Sequence, residues 1–182
     1  TRETVSFDAT YGDERVLAHV YLPKNIEPPY QVVAYYPSSD AIFRHSSDEF
    51  EVGFIDFIVK SGRAVVVPVL WGTYERNAGI DATWPDNTRV VRWIQDFRRT
   101  VDYLETRPDM DLGRLGFYGF SWGGWNGPIV LALDDRFKAG VFLSGGIPPT
   151  LARPEASSAS YASRVTQPTL MISGEHDVIR PV

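Results

Sequence analysis

The sequence predicts an α/β protein with a mostly parallel sheet. Five short apolar segments have the length and composition of buried parallel strands: 31–36, 64–70, 115–118, 139–143 and 169–173. Helical segments separate several of them, and this alternation implies right-handed crossovers between parallel strands. A glycine-rich turn that contains a serine joins the strand at 115–118 to a helix at 125–133.

The N-terminal part predicts an antiparallel hairpin in front of that sheet. Segments 4–9 and 16–22 are strand-like, and the stretch 11–14 between them is rich in turn residues. A hairpin followed by a parallel sheet fits the α/β-hydrolase plan. With 182 residues, the whole of 1–182 is expected to form one domain.

Two further helices and one irregular loop complete the prediction. Segment 50–60 is apolar and helix-like. In segment 86–105 the apolar residues recur at spacings of four and three, with Asp86 as the N-cap. Segment 148–168 is rich in Pro, Ser and Ala, which indicates an irregular loop.

Composition excludes several classes of function. The net charge of −5, without a large basic patch, argues against binding to nucleic acid or to an anionic membrane. The chain has no cysteine, which excludes disulfides, thiolate metal sites and a cysteine nucleophile. No apolar run approaches the roughly 20 residues that cross a bilayer, and no signal peptide is recognisable, so we expect a cytoplasmic protein. No cofactor is expected, and three histidines without metal-ligand spacing predict no metal site.

The stretch Gly119-Phe120-Ser121-Trp122-Gly123-Gly124 is the strongest functional signal. A G-x-S-x-G sequence between a strand and a helix is the context of a serine nucleophile. The glycines let the backbone pass close to itself, and the helix N-terminus favours the negative charge of an oxyanion. Ser121 is therefore predicted to be the nucleophile of a hydrolase. The alternative is an ordinary turn.

Asp177 and two backbone amides complete the predicted chemistry. Asp177 follows the strand at 169–173, where a carboxylate could orient a histidine; a turn-forming Asp is the alternative, and Glu175 is a weaker substitute. The N–H of Trp122 is the first predicted oxyanion donor. The second is the N–H of Ser39, with Ser38 close behind, although this stretch could also be a simple strand-ending turn.

The histidine is the difficulty in this assignment. His176 adjoins Asp177, so its ring cannot easily accept orientation from that residue and also reach Ser121. His19 is expected to be a half-exposed sheet residue. His45 is expected to lie near the mouth of the pocket and is a weak candidate for the base.

Aromatic residues near the predicted strand ends provide candidates for substrate contact. Ser38, Trp71 and Tyr74 are predicted to bind substrate. Trp84, Trp122 and Trp125 are further candidates for an acyl pocket, with Trp122 favoured among the aromatic residues because it adjoins Ser121. Packing in the core is the alternative for each ring.

Three segments resemble bacterial α/β hydrolases related to dienelactone hydrolases and to the catalytic domain of prolyl oligopeptidases: GFSWGG at 119–124, YLETRPD at 103–109 and LMISGEHD at 170–177. Two more resemble hydrolase domains that some bacteria carry behind a protein kinase: GTYER at 72–76 and FIVKSGR at 57–63. The resemblance runs from about residue 10 to the last residue.

The resemblance implies an esterase that acts on small acyl esters, with Ser121 as nucleophile and Asp177 as acid. The loop Pro37-Ser38-Ser39-Asp40 departs from the usual Pro-Gly-Ser-Asn type. The family continues with one more strand and a histidine-bearing loop, so the resemblance also implies a fold truncated at its C-terminus.

An exposed edge at 169–173 would then invite a homodimer. Two functional alternatives stay open: a catalytically silent binding or regulatory module, and a serine peptidase.

Overall fold

The computed structural model describes residues 1–77, 87–147 and 153–177. Within these ranges one sheet has the strand order β1-β2-β4-β3-β5-β6-β7. Its strands are β1 (Arg2–Asp8), β2 (Arg15–Tyr21), β3 (Tyr30–Tyr36), β4 (Ala64–Val69), β5 (Met110–Phe120), β6 (Ala139–Leu143) and β7 (Thr169–Ile172). β1 and β2 are antiparallel, β2 is antiparallel to β4, and the remaining neighbours are parallel. The predicted hairpin and parallel sheet are both present.

The described helices are α1 (Asp56–Lys60), α2 (Asn87–Glu105), α3 (Trp122–Leu133) and α4 (Ser158–Ala162). The helix predicted at 50–60 is α-helical only in its second half, because its first half contains a 3-10 turn at Val52–Phe54 instead. Asp86, the predicted N-cap of α2, lies outside the described residues. The predicted irregular loop contains α4 and a 3-10 turn at Pro154–Ala156, and part of it also lies outside them.

The two faces of the sheet bury separate apolar clusters. The larger cluster lies under α2 and α3, and the predicted stripe of α2 is buried there: Val90, Ile94, Phe97, Val101 and Leu104. The smaller cluster lies under α1, where Ile58 packs with Tyr35 and Tyr118. No helix in the described parts of the chain is long and apolar enough to span a membrane.

The prediction that residues 169–173 form a buried strand is wrong. All four residues of β7 are exposed, and Leu170 retains 55% of its surface. β7 is the last strand in the order of the described sheet, so it has a neighbour on one side only. By contrast, β4 lies between β2 and β3 and is buried at all six positions.

Candidate active site

Ser121 is the one residue that separates β5 from α3. β5 ends at Phe120 and α3 begins at Trp122. The backbone of Ser121 has φ +53° and ψ −108°, a region that residues with a side chain seldom adopt. Its N–H donates to the Leu143 carbonyl at 2.7 Å, and its carbonyl accepts from the Trp125 N–H at 2.9 Å. The strained residue is therefore fixed by the end of β6 and the first turn of α3.

The neighbouring glycines are required by close backbone contacts. A Cβ on Gly119 would lie 2.4 Å from the Gly123 carbonyl carbon, and a Cβ on Gly123 would lie 2.1 Å from the Tyr36 carbonyl oxygen. A Cβ on Gly124 would lie 2.8 Å from the Cα of Gly145. Any side chain at these positions would push α3 away from the ends of β3, β5 and β6.

At this turn, the Ser121 hydroxyl and the backbone N–H of Trp122 come from adjacent residues. Ser121 is half-buried, and its hydroxyl has no hydrogen-bond partner within the described ranges. Trp122 is the first residue of α3, a position whose N–H has no acceptor inside the helix. The positive end of the helix dipole also favours negative charge here. Chemically, the arrangement can present a nucleophilic oxygen and stabilise an oxyanion that forms next to it.

The indole of Trp122 is part of the core. It is only 5% exposed and packs edge-on against Tyr36, with ring centroids 5.3 Å apart, and against Trp93 at 4.3 Å. The expectation that this ring is the favoured aromatic lining of an open acyl pocket is therefore wrong, because the first turn of α3 directs the indole between α2 and the sheet. Its packing instead anchors the helix start that carries the N–H.

Ser38 and Ser39 lie beside this turn. β3 pairs with β5 in parallel, with Tyr36 opposite Gly119, so the loop after β3 and the turn after β5 leave the same edge of the sheet. Ser38 caps a 3-10 turn at Ser39–Ile42, and its hydroxyl accepts a hydrogen bond from the Asp40 N–H at 3.4 Å. Ser39 is the first residue of that turn and is half-buried.

Ser38 and Tyr74 line one small cavity next to this loop. The cavity holds about 20 Å³, roughly the room for one water molecule. Tyr74 is buried with φ +48°, and burial raises the pKa of its hydroxyl to about 12. Phe54, also on the cavity wall, stacks on Phe120 with ring centroids 4.7 Å apart. Because Phe120 precedes Ser121, this stack connects the cavity to the serine turn.

Trp71 does not line that cavity. Its carbonyl accepts a hydrogen bond from the Trp93 Nε1 at 2.7 Å, and the Arg92 guanidinium lies 4.3 Å from its ring centroid. Substrate contact by Trp71 stays a prediction. Trp84 lies outside the described residues, so its predicted place in a pocket is not described.

A buried ionic cluster, which the sequence analysis missed, holds the loop after β4. The Asp96 carboxylate is fully buried and accepts from the Tyr11 hydroxyl at 2.7 Å, the Trp71 N–H at 2.8 Å and the Arg76 guanidinium at 2.5 Å. Arg76 also donates to the Val69 carbonyl at 2.9 Å. One feature of the sequence could have revealed this cluster: Asp96 lies between apolar positions of α2. A buried carboxylate there is expected only with a charged or hydrogen-bonding partner.

His19 belongs to a second buried network. It is 3% exposed, with Nδ1 3.1 Å from the Thr4 hydroxyl and Nε2 2.7 Å from the Ser47 hydroxyl. Ser47 in turn donates to the Glu75 carboxylate at 2.8 Å. The prediction of a half-exposed His19 is wrong, because the loop at 46–50 covers this part of β2. Burial lowers the pKa of the ring, and both nitrogens are engaged, so His19 is a structural residue.

Asp177 follows the strand that lies two places from β5. It sits in a turn in which its N–H donates to the Gly174 carbonyl at 3.0 Å, and its side chain is half-buried. β6 lies between β5 and β7. The carboxyl ends of the strands that lead to Ser121 and Asp177 are therefore roughly 10 Å apart. This separation leaves room for a histidine ring between the Asp177 carboxylate and the Ser121 hydroxyl.

The described part of the chain contains no histidine that is hydrogen-bonded to Ser121. His45 and His176 are exposed, and His19 is held in its own network. Within the same ranges, no group of three or more His, Asp or Glu side chains is arranged to hold a metal ion.

Comparison with known proteins identifies the family. The model of the dienelactone hydrolase family matches residues 54–182. The chain belongs to this family. It is 26% identical over 212 residues to the Bacillus subtilis (strain 168) protein named "Putative hydrolase YtaP", with 98% of this chain and 71% of that protein covered. These relationships support a hydrolase.

Solved structures share the fold. "Putative Dienelactone Hydrolase from Klebsiella pneumoniae" superposes with a TM-score of 0.72 at 18% identity, over 100% of this chain and 76% of that one. A puromycin-hydrolyzing peptidase of Mycobacterium tuberculosis gives 0.76 at 17% identity, over 99% of this chain but only 32% of that one. The predicted α/β-hydrolase fold is confirmed. A kinase fusion stays a prediction.

Proposed function

We propose that this chain is a serine hydrolase domain that cleaves carboxylic esters of small acyl groups. The observation that carries the proposal is the conformation of Ser121. Its hydroxyl is unpartnered in the described ranges, and its backbone is held at φ +53° next to the first N–H of α3. Strained backbone of this kind is costly and is usually retained where a side chain must be aimed at a substrate.

The reaction would follow acyl-enzyme chemistry. The Ser121 oxygen attacks the acyl carbonyl carbon as a histidine accepts its proton, and the carbonyl oxygen becomes an oxyanion. The N–H groups of Trp122 and Ser39 donate to that oxyanion, and loss of one such donor typically costs 10²–10³ in kcat. The same histidine then protonates the departing alcohol. Water attacks the acyl-enzyme, releases the acid and returns the proton to Ser121.

Asp177 would orient the histidine and stabilise its protonated form. His19 cannot be that histidine, because both of its ring nitrogens are engaged in a buried network. His176 is adjacent to Asp177 in the chain, so its ring cannot easily hydrogen-bond to the Asp177 carboxylate and also reach Ser121. The proposal therefore needs a proton acceptor other than these two residues, and this need can be tested with an added base.

The test measures covalent labelling by a fluorophosphonate and hydrolysis of p-nitrophenyl acetate, each with and without added imidazole. Imidazole is expected to increase both rates and to place the label on Ser121. Ser121→Ala should not be labelled. Its hydrolysis of p-nitrophenyl acetate with imidazole should be no faster than the reaction of imidazole without protein. Ser144→Ala is the matched control, because Ser144 also has positive φ (+48°) and follows the next strand, β6.

The results distinguish the proposal from its alternatives. A label that persists in Ser121→Ala, or no label on Ser121 under either condition, would contradict a nucleophilic role. Faster cleavage of aminoacyl p-nitroanilides than of esters would favour a peptidase, the activity named for the Mycobacterium tuberculosis structural relative. Ligand binding without labelling or turnover would favour a silent binding or regulatory module.

A further inference from the structure

The loop after β3 leaves the Ser39 N–H without an acceptor. The N–H groups of the next two residues, Asp40 and Ala41, donate to the hydroxyl of Ser38 at 3.4 Å and to its carbonyl at 3.2 Å. Ser39 begins the 3-10 turn, a position whose N–H has no partner inside the turn, and no acceptor for it lies in the described ranges. Such a donor stabilises an oxyanion well only if the turn that carries it is held in place.

Segment 74–77, which follows β4, contacts the second half of this turn. Tyr74 and Ala41 belong to one small apolar cluster, and their exposed fractions are only 4% and 1%. The Asn77 Nδ2 donates to the carbonyl of Ile42 at 2.7 Å, 35 residues earlier in the chain. Ile42 is the last residue of the turn, so this hydrogen bond ties the end of the turn to the neighbouring loop.

Segment 74–77 is itself fixed to the body of the domain. Arg76 donates to the Val69 carbonyl at 2.9 Å and to the buried Asp96 carboxylate. Tyr74 has φ +48°, a conformation that a bulky residue keeps only where its surroundings impose it. The segment therefore offers the turn a rigid support, with one side chain directed to the core and others directed to the turn.

We propose that Asn77 is a positioning residue for the second oxyanion donor, and that it acts by holding the turn that carries the Ser39 N–H. The inference rests on the proposed function, in which that N–H stabilises the oxyanion. Because the oxyanion forms only as Ser121 attacks, the placement of the donor matters for the transition state and little for binding. Loss of the Asn77 hydrogen bond is therefore expected to slow the reaction without weakening capture of the reagent.

The test compares Asn77→Ala with Asn25→Ala in the 182-residue chain. The control is matched, because the Asn25 Nδ2 also donates to a backbone carbonyl 35 residues away, that of Lys60 at 3.1 Å. That bond lies at the amino ends of β3 and β4, whereas the proposed site lies at the carboxyl ends of the strands.

Labelling of Ser121 is measured with imidazole over a range of fluorophosphonate concentrations. In Asn77→Ala the maximal rate should fall about tenfold, which is less than the roughly 10²–10³ lost with a whole donor. The half-saturating concentration should stay within about twofold of the wild-type value, because the substitution removes no contact with the bound reagent. Asn25→Ala should match the wild type in both quantities.

A second variant and a second measurement separate positioning from a general loss of stability. Asn77→Asp keeps the shape of the side chain but places a carboxylate oxygen against the Ile42 carbonyl, so its maximal rate should fall further than that of Asn77→Ala. Amide hydrogen exchange over residues 38–44 should become about fivefold faster in Asn77→Ala, the equivalent of one lost hydrogen bond. It should be unchanged in Asn25→Ala.

Equal maximal rates in Asn77→Ala and Asn25→Ala would overturn the inference, and so would a loss that appears in the half-saturating concentration instead of the rate. Unchanged exchange over residues 38–44 in Asn77→Ala would show that this side chain does not hold the turn. A wild-type chain that is never labelled at Ser121 would count against the proposed function alone, and the exchange measurement would then decide whether Asn77 holds the turn.

Discussion

The carbonyl oxygen of Tyr36 lies 2.1 Å from the point where a Cβ on Gly123 would stand. Tyr36 is the last residue of β3, and Gly123 lies in the first turn of α3. The start of α3 is therefore in direct backbone contact with the strand whose following loop carries Ser39. The distance between the two proposed oxyanion donors depends on the absence of a side chain at residue 123.

Gly123→Ala is expected to lower both stability and reactivity. The methyl group would force α3 away from β3, and overpacking of this kind typically costs about 1–3 kcal/mol in the free energy of unfolding. The same shift should slow labelling of Ser121. Urea unfolding and the rate of adduct formation measure the two effects. Gly53→Ala is the control, because its Cβ would meet nothing within 4 Å; equal losses in both variants would contradict the interpretation.

Ser121→Gly should stabilise the protein while removing its reactivity. Glycine adopts positive φ without a steric penalty, and relief at one residue is worth on the order of 1 kcal/mol. Ser121→Ala keeps a Cβ and therefore keeps the strain, so the difference between the two variants isolates the backbone term. Thermal unfolding of both supplies the measurement. A glycine variant no more stable than the alanine variant would show that the φ of +53° is not strained.

The serine turn was predictable because its signal is local. The glycine spacing, the preceding strand and the following helix all lie within 20 residues, and the structure places Gly119 and Gly123 at close backbone contacts. The stripe of α2 was predictable for the same reason, since its period reflects one helix face. The first half of the helix predicted at 50–60 was not predictable in this way. Phe50 and Ile55 are buried, but each follows a separate 3-10 turn, so they do not share one helix face.

Features that depend on distant parts of the chain were missed. The apolar composition of residues 169–173 predicts burial, whereas their exposure depends on the order of strands in the sheet. Only the resemblance to the family predicted an exposed edge there. His19 is buried by a loop about 30 residues further along the chain. The alternation of side chains along β2 could not predict that this loop packs over it. Asp96 is satisfied by Tyr11 and Arg76, which are far apart in sequence. The role predicted for Asp177 stays a prediction, because the distance from its carboxylate to Ser121 depends on the order of strands in the folded sheet.

Removal of the Asp96 carboxylate should be strongly destabilising. Asp96→Ala leaves the 10%-exposed Arg76 side chain without its buried counter-ion, a change that typically costs about 3–5 kcal/mol. Asp56→Ala breaks the exposed pair with Lys60 and should cost only about 0.5 kcal/mol. Urea unfolding compares the two. Asp96→Leu combined with Arg76→Met should recover part of the loss, and a similar cost at both sites would contradict a buried ion pair.

The stability of the chain should fall in mild acid because of His19. Burial, and then the nearby Arg2, lower the pKa of the ring, although Glu75 and Asp48 oppose this change. Below the unfolded value of about 6.5, the unfolded chain therefore binds a proton that the folded chain resists. The contribution of neutral His19 is complete above that pH and is lost as pH falls through the lower folded pKa, by at most about 1.4 kcal/mol per pH unit.

Urea unfolding at about pH 8 and about pH 5.5, above the usual carboxylate range, should therefore show a larger loss of stability for the wild type than for His19→Gln. The glutamine cannot gain a proton in this range and can still hydrogen-bond to Ser47. His45→Gln changes an exposed histidine and should retain the wild-type difference between the two pH values. If His19→Gln loses as much stability in acid as the wild type, groups other than the buried ring are responsible.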